Sequence, residues 1–165
     1  MTPPGTSWHV GTREAREIRV LLIDFLADTA ANTAMLLDRG GRLVVCEGEQ
    51  PAFDLTTFAS LAAADYGAND QLARLLGEPE FSGLVHQGER DAMHLADVGR
   101  QLVLVTLFDV RTTLGLVRWR ARPVVQALAA LLPRLQGQNA GMPAAIVSAD
   151  FASQAEAEID KLFGG

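Results

Sequence analysis

The 165-residue sequence predicts an α+β (α/β class) domain, in which one five-stranded antiparallel sheet is flanked by helices. Three long segments carry apolar residues at helical spacing, and short apolar runs typical of strands lie between them. Glycine-containing tight turns join neighbouring runs, and strands joined in this way are antiparallel. The predicted order is α-β-β-α-β-β-β-α, followed by a polar stretch and a short C-terminal helix.

The first helix is predicted over REAREIRVLLIDFLADTAA, with Thr12 as the expected N-cap. Its apolar face is predicted to comprise Ala15, Ile18, Leu21, Leu22 and Phe25. The runs TAMLLD and RLVVCEGE follow and are joined by residues 39–41, Arg-Gly-Gly. Because Gly-Gly tolerates the positive φ angles of tight turns, these two runs are predicted to form a β-hairpin.

The second helix is predicted to start after the cap Asp54 and to end near Gly77, with Pro79 just beyond. Small residues form two rows at i, i+4 spacing on this helix: Ala59, Ala63 and Gly67, and then Ser60, Ala64 and Ala68. Such rows allow another surface to approach the backbone closely. Packing on the helix's own sheet explains one row, and a second contact is the hypothesis for the other.

The C-terminal half of the domain contains GLVHQGER and DAMHLAD as short strands, followed by the strongly apolar QLVLVTLFDV, which should lie mid-sheet. The last helix covers TLGLVRWRARPVVQALAALLPRL, and Pro123 is expected to kink or split it. With the outer helices on one face, the second helix would cover the other face alone. Dimerisation through the second helix would complete that cover.

Length, charge and cysteine usage restrict the class of protein. The length indicates one domain, and the net charge of −6 argues against a nucleic-acid partner. Cys46 is the only cysteine, which excludes an intrachain disulfide and fits a reducing compartment. The sequence shows neither a secretion signal at its start nor an apolar run long enough to span a bilayer. The expectation is a soluble cytoplasmic protein.

Residues that could perform chemistry are few. His86, Glu89 and His94 have no standard metal-site spacing, and alternation along a strand would put His86 and Glu89 on opposite faces. No phosphate-binding glycine motif occurs, and Cys46 lies in an apolar strand. One basic cluster, interpreted as a solvated helix face, contains Arg111, Arg118, Arg120 and Arg122. We therefore predict no catalytic residue, no metal site and no bound cofactor, and a function carried by surfaces.

The C-terminal segment divides the chain into a domain over 1–136, a flexible linker over 137–149 and a partner-binding helix over 150–165. Four apolar side chains are predicted to form the contact face of that helix: Phe151, Ile159, Leu162 and Phe163. So short a helix is marginal in water and would become ordered on docking. It could bind a partner as a helix in a groove, or fold back on its own domain.

Several stretches in order resemble the roadblock/dynein light chain family and, within it, the bacterial MglB group. They are LARLLGEPEF, VHQGERD, LVTLFDVRTTLGLVRWR and the terminal EIDKLF, which together cover nearly the whole chain. The resemblance implies the roadblock fold, with the sheet and helix order already predicted. It also implies a homodimer that pairs through the second helix and third strand and joins the two sheets.

The resemblance further implies that two protomers bind one MglA-type Ras-like GTPase of bacterial cell polarity and motility, and stimulate its GTP hydrolysis. GTP or GDP and Mg²⁺ would belong to the partner, and this chain would have no active site of its own. The matching GTPase-facing positions are Ala63, Tyr66, Gly67, Asp70, Gln71 and Arg74. The implied mechanism is remodelling of the GTPase rather than insertion of an arginine finger, for which Arg74 would be the candidate. The family setting is the cytoplasm, with recruitment to a cell pole.

Two other functions compete with GTPase activation. The first is a roadblock-type dimeric scaffold that binds a GTPase or another protein without stimulating hydrolysis. The second is a small enzyme using His86 and His94, which predicts bound metal or turnover by the isolated protein. The terminal EIDKLF favours activation, because a bare scaffold needs no such appendage.

Overall fold

The computed structural model describes residues 10–137, which contain three helices and five strands in the predicted order. The helices are α1 (Thr12–Thr29), α2 (Leu55–Leu75) and α3 (Leu114–Gly137). The strands are β1 (Thr33–Asp38), β2 (Leu43–Gly48), β3 (Leu84–Gln87), β4 (Ala92–Val98) and β5 (Leu102–Phe108).

The five strands form one antiparallel sheet in the order β2-β1-β5-β4-β3. The most apolar strand, β5, lies at its centre, as its sequence predicted. The short β3 pairs only with β4, so its other side is a sheet edge within the described chain. The predicted α+β class, element order and five-stranded antiparallel sheet are confirmed.

The sheet separates two apolar layers. On one face α1 and α3 pack together over residues such as Leu36, Leu104 and Val98. On the other face α2 packs alone over a smaller cluster that includes Met35, Val105 and Leu95. The alternation of side chains along each strand sends successive residues to opposite layers. The unequal cover of the two faces, predicted from the sequence, is present in the structure.

The β1–β2 hairpin turn requires glycine for two reasons. Gly41 has a φ of +87°, in the left-handed region that side-chain-bearing residues rarely adopt. A Cβ at this position would also lie 2.7 Å from the Cα of Ser60. The turn therefore presses against the backbone of α2, and the preceding Arg39 is held beside that helix.

One expectation about helix ends needs correction, and one about Pro123 is narrowed. Thr12 is not the N-cap of α1, because it already has helical geometry and Gly11 occupies the cap position without a side-chain hydrogen bond. Of the two alternatives for Pro123, a split of α3 is excluded, because the helix runs unbroken through it and through Pro133, and a kink stays a prediction. Packing of the flanking turns against α1 and the sheet offsets the hydrogen bond that proline cannot donate. The Asp54 cap of α2 is confirmed, with its carboxylate accepting from the Thr57 N–H at 2.9 Å.

Residues 1–9 and 138–165 lie outside the described part of the chain. The predicted linker and C-terminal helix, including Phe151, Ile159, Leu162 and Phe163, therefore remain predictions. Between residues 10 and 137, no helix combines the length and the apolar character needed to cross a bilayer.

Candidate functional site

Helix α2 presents one buried face and two different exposed flanks. The buried side chains, which pack on the sheet, are Ala59, Ala62, Ala63, Tyr66, Asn69 and Ala73. Packing on the helix's own sheet therefore explains most of the first small-residue row. The second row, Ser60, Ala64 and Ala68, is exposed, and its Ala64 and Ala68 can meet another surface, whereas the backbone of Ser60 already meets the hairpin turn at Gly41.

The first flank forms one wall of an open depression of about 360 Å³. Five of the six positions predicted to face a GTPase line it: Ala63, Gly67, Asp70, Gln71 and Arg74. The opposite wall comes from Arg39, Arg100 and the Pro79–Glu80 segment after the helix. The structure thus brings these sequence-predicted residues together on one concave, strongly charged surface.

Arg39 links the structural elements that surround this depression. Its guanidinium pairs with Asp70 at 2.6 Å and also with Asp97, which connects the β1–β2 hairpin to α2 and to the end of β4. The same group lies 4.9 Å from the centre of the Tyr66 ring, in a cation–π arrangement. Asp70 is therefore held in one orientation by an ion pair that is largely shielded from water.

Tyr66 differs from the other five predicted positions. Its side chain is almost completely buried and packs beneath Arg39 in the α2 layer. Burial, with a further contribution from Asp97 and Asp70, raises the pKa of its hydroxyl to about 12. In this protomer Tyr66 supports the depression through Arg39 rather than lining it.

The contributions of Arg39 and Arg100 to this surface are not predictable from the sequence pattern. The pattern identifies Arg39 only as part of a turn, because nothing local indicates that a hairpin arginine reaches two distant aspartates. Its partners Asp70 and Asp97 lie 31 and 58 residues away along the chain. Only the packing of the hairpin turn against Ser60 brings them together.

The second flank of α2 is apolar and lies beside the sheet edge. Leu61 is 65% exposed and Leu72 is 56% exposed, and Leu76 continues the same side just past the helix. This flank adjoins β3, since Asp65 on α2 contacts His86 on β3 at 2.5 Å. Large exposed apolar side chains next to an open strand edge are typical of a surface that is covered in an assembly.

The candidate metal ligands are separated, although not by alternation along one strand, because Glu89 lies outside β3. His86 points toward α2, whereas His94 is buried on the α3 side of the sheet, and Glu89 lies in the β3–β4 turn. Within residues 10–137 no group of three metal-ligating side chains converges. Cys46 is half-buried in β2, and burial raises the pKa of its thiol, which disfavours the reactive thiolate.

The predicted basic cluster does not act as one patch. Arg111 binds Glu49 and Asp109 at 2.8 and 3.0 Å, and its hydrogen bonds hold the pKa of Asp109 well below the usual range. Arg120 contacts Asp28 at 3.4 Å and stacks over Trp119. Much of the positive charge is therefore neutralised locally.

Comparison with known proteins places this architecture in context. The sequence model of the Roadblock/LC7 domain matches residues 19–108, more than half of the chain. Among curated proteins, no sequence matches this chain.

Three solved structures of MglB proteins superpose on most of the chain. Myxococcus xanthus MglB is 35% identical, with a TM-score of 0.68, and the match covers 72% of this chain and 96% of that one. The gliding protein MglB from Thermus thermophilus is 32% identical, with a TM-score of 0.68, and coverages of 79% and 97%. A structure described as MglB with tetrameric arrangement is 30% identical, with a TM-score of 0.73, and coverages of 81% and 99%.

Proposed function

Since this chain belongs to the Roadblock/LC7 family, we propose that it is a homodimeric activator of an MglA-type small Ras-like GTPase in bacterial cell polarity or motility. The main observation behind this proposal is that the two exposed flanks of α2 differ in chemistry. One flank is apolar and borders the open edge of the sheet, whereas the other is charged, concave and rich in small residues. A dimer contact and a GTPase contact each match one of these flanks.

The proposed dimer pairs the β3 edges of two protomers and buries the apolar flank of α2 against its counterpart. This arrangement covers Leu61, Leu72 and Leu76, which are exposed in the single protomer for no other evident structural reason. It also satisfies the backbone groups along β3 that face away from β4. A two-fold axis through the β3 edge would bring the two α2 helices side by side, and their charged flanks would form one platform.

The register of β3 identifies which backbone groups such a dimer would use. Gly88 donates to the Asp91 carbonyl at 2.9 Å in the β3–β4 turn. Because hydrogen-bonded and non-bonded pairs alternate in an antiparallel ladder, Val85 opposite His94 is a non-bonded pair. The Val85 N–H therefore points outward, toward the proposed partner strand.

Replacing Val85 with proline is expected to weaken the dimer by at least about tenfold while keeping the β3–β4 ladder. Proline removes the outward N–H, and its ring obstructs an incoming strand. Sedimentation analysis over a range of concentrations measures the effect. Val85→Ala, which shortens the side chain but keeps the N–H, is the matched control and should remain dimeric. A Val85→Pro protein as strongly dimeric as its control would remove β3 from the interface.

The GTPase is proposed to rest on the depression lined by Gly67, Asp70 and Arg74. Small side chains allow its backbone to approach α2, and the ion pairs of Arg39 hold the charged rim in place. Activation would then come from tighter contact with the hydrolysis-competent conformer of the GTPase than with its resting form. The GTPase would supply its own catalytic groups, nucleotide and Mg²⁺.

The C-terminal helix is proposed to contact a second site on the same GTPase through Phe151, Ile159, Leu162 and Phe163. The linker over 137–149 would allow this contact while the domain holds the first site. The tether would keep the local concentration of the helix high without tight intrinsic affinity. The setting proposed for the complex is the cytoplasm, with recruitment to a cell pole.

Single-turnover GTP hydrolysis by the MglA-type GTPase, with and without this protein, tests the proposal. Strong stimulation by the intact chain is the expected result. A chain ending at Gln136 should bind more weakly or stimulate less, because it lacks the second contact. Binding without stimulation would contradict activation and leave a dimeric scaffold, whereas the absence of binding would contradict the GTPase partner itself.

A further inference from the structure

An apolar groove lies between α1 and α3, on the side of the molecule opposite to α2. The two helices run antiparallel, since Glu17 pairs with Arg134 at one end and Asp28 pairs with Arg120 at the other. The groove encloses about 450 Å³. Its lining comprises Arg16, Glu17, Val20, Leu21, Ala127 and Leu131.

The groove exposes apolar surface that the proposed contacts of α2 do not cover. Val20, which lines the groove, is 51% exposed. It lies on α1, which packs on the opposite face of the sheet from α2. A dimer formed through α2 and β3 therefore leaves Val20 uncovered.

We propose that the C-terminal segment, residues 150–165 of the same protomer, docks in this groove. The described chain leaves α3 at Gly137, and the groove begins at Leu131, six residues back along the helix, which is about 9 Å. The linker over 137–149 can extend to roughly 40 Å. The chain can therefore reverse direction after α3 and lay the segment along α1 and α3 without strain.

The chemistry of the segment matches the groove. In the helix predicted for this segment, Ile159, Leu162 and Phe163 would share one face and fill the space beside Val20 and Leu21. The segment carries four acidic residues and one lysine: Asp150, Glu156, Glu158, Asp160 and Lys161.

The groove rim carries the opposite charge. Arg16 lines the groove and, within residues 10–137, forms no ion pair with a carboxylate. Arg13 and Arg19, one turn to either side of it on α1, are paired with Glu17 and Glu47. The carboxylate of Glu17 also lines the groove, but it is already paired with Arg13 and Arg134. Arg16 is therefore the charge on the groove lining that is available to the acidic segment, and it favours this segment over an uncharged apolar helix.

This docking gives the segment two alternative positions. The apolar face that fills the groove is also the face proposed to contact the GTPase, and it cannot occupy both sites at once. Binding in trans must therefore displace the segment from its own domain, which lowers its apparent affinity by the fraction held in the groove. The docking itself does not depend on the identity of the partner.

Thiol accessibility in the 165-residue chain tests this inference without assuming how the segment is aligned along the groove. In a Cys46→Ser background, the rate at which the Val20→Cys thiol is alkylated measures whether the groove is covered. A slow rate indicates a covered groove. Adding Ile159→Asp and Leu162→Asp is expected to raise that rate at least about fivefold, because the segment no longer fills the groove. Val110→Cys, at a site that is 88% exposed and outside the groove, is the control whose rate should not change.

Two outcomes would overturn the inference. Equal alkylation rates at position 20 with and without the aspartates would mean that the segment does not cover the groove. Protection that survives the aspartates but disappears on dilution would mean that a second copy of the chain covers it. Far-UV circular dichroism establishes that each variant keeps the fold before its rate is interpreted.

Discussion

Replacing Gly67 with arginine is expected to abolish GTPase binding and, at the same time, to increase the stability of the protein. A Cβ at position 67 meets no atom within 4 Å, so a side chain fits the protomer without rearrangement. An arginine in place of glycine inside an exposed stretch of helix stabilises it by roughly 0.7–1 kcal/mol. The same side chain would fill the depression where the GTPase backbone is proposed to approach, with an expected loss of affinity of about 100-fold or more.

The opposite signs of these two effects make the result specific. A variant that loses binding because it unfolds would show lower thermal stability, whereas Gly67→Arg should melt at a higher temperature. Gly67→Ala is the matched control, because it gives the helix a similar stabilisation but adds only a methyl group, and it should keep most of the binding. Titration calorimetry with the GTPase and thermal melts measure the two quantities. Undiminished binding by Gly67→Arg would exclude the first flank of α2 from the interface.

The sequence was sufficient to predict the fold because each element carries a local signal. Helical spacing of apolar residues located α1, α2 and α3, and the Asp54 cap and Gly77 bounded α2 closely. The strongly apolar composition of β5 predicted its central place in the sheet. The N-cap at Thr12 was wrong because Gly11 can serve as a cap through its backbone alone. Such a cap leaves no side-chain signal in the sequence.

The candidate site was only partly predictable, and its residues show why. Gly67 and Ala63 belong to a regular row of small residues, a pattern that is visible along one helix. Arg39, by contrast, acquires its role from contacts with Asp70 and Asp97, which are distant in the sequence. The burial of Tyr66 also depends on how α2 rotates against the sheet, and its alignment with a GTPase-facing motif could not reveal this. The row of small residues along α2 indicated where the surface lies. Contacts between residues distant in the sequence determined how its charged side chains are arranged.

Lowering the pH from 7 to 4.5 is expected to destabilise the protein by about 2.5 kcal/mol through His94 alone. This side chain is 3% exposed, and the glycine at position 83, with a φ of +151°, packs against its ring. Burial, helped by the nearby Arg118 charge, lowers the pKa of His94 from 6.5 to about 4. The unfolded chain therefore binds a proton between pH 6.5 and 4 that the folded chain does not. The contribution is fully present above pH 6.5 and is lost progressively as the pH falls to about 4.

Urea unfolding at a series of pH values measures this slope, and two histidine variants isolate its source. His94→Gln should remove the dependence between pH 6.5 and 4.5, since glutamine does not titrate, whatever its effect on stability at pH 7. His86→Gln, at an exposed position on β3, should keep the dependence. Carboxylates with lowered pKa values, such as Asp109 and Glu17, begin to lose their contributions only near the lower end of this window, as unfolded carboxyl groups become protonated, so the upper part of the slope isolates the histidine. A slope that persists in His94→Gln would show that the proton binds elsewhere, and that the buried position of His94 is not what makes this fold acid-sensitive.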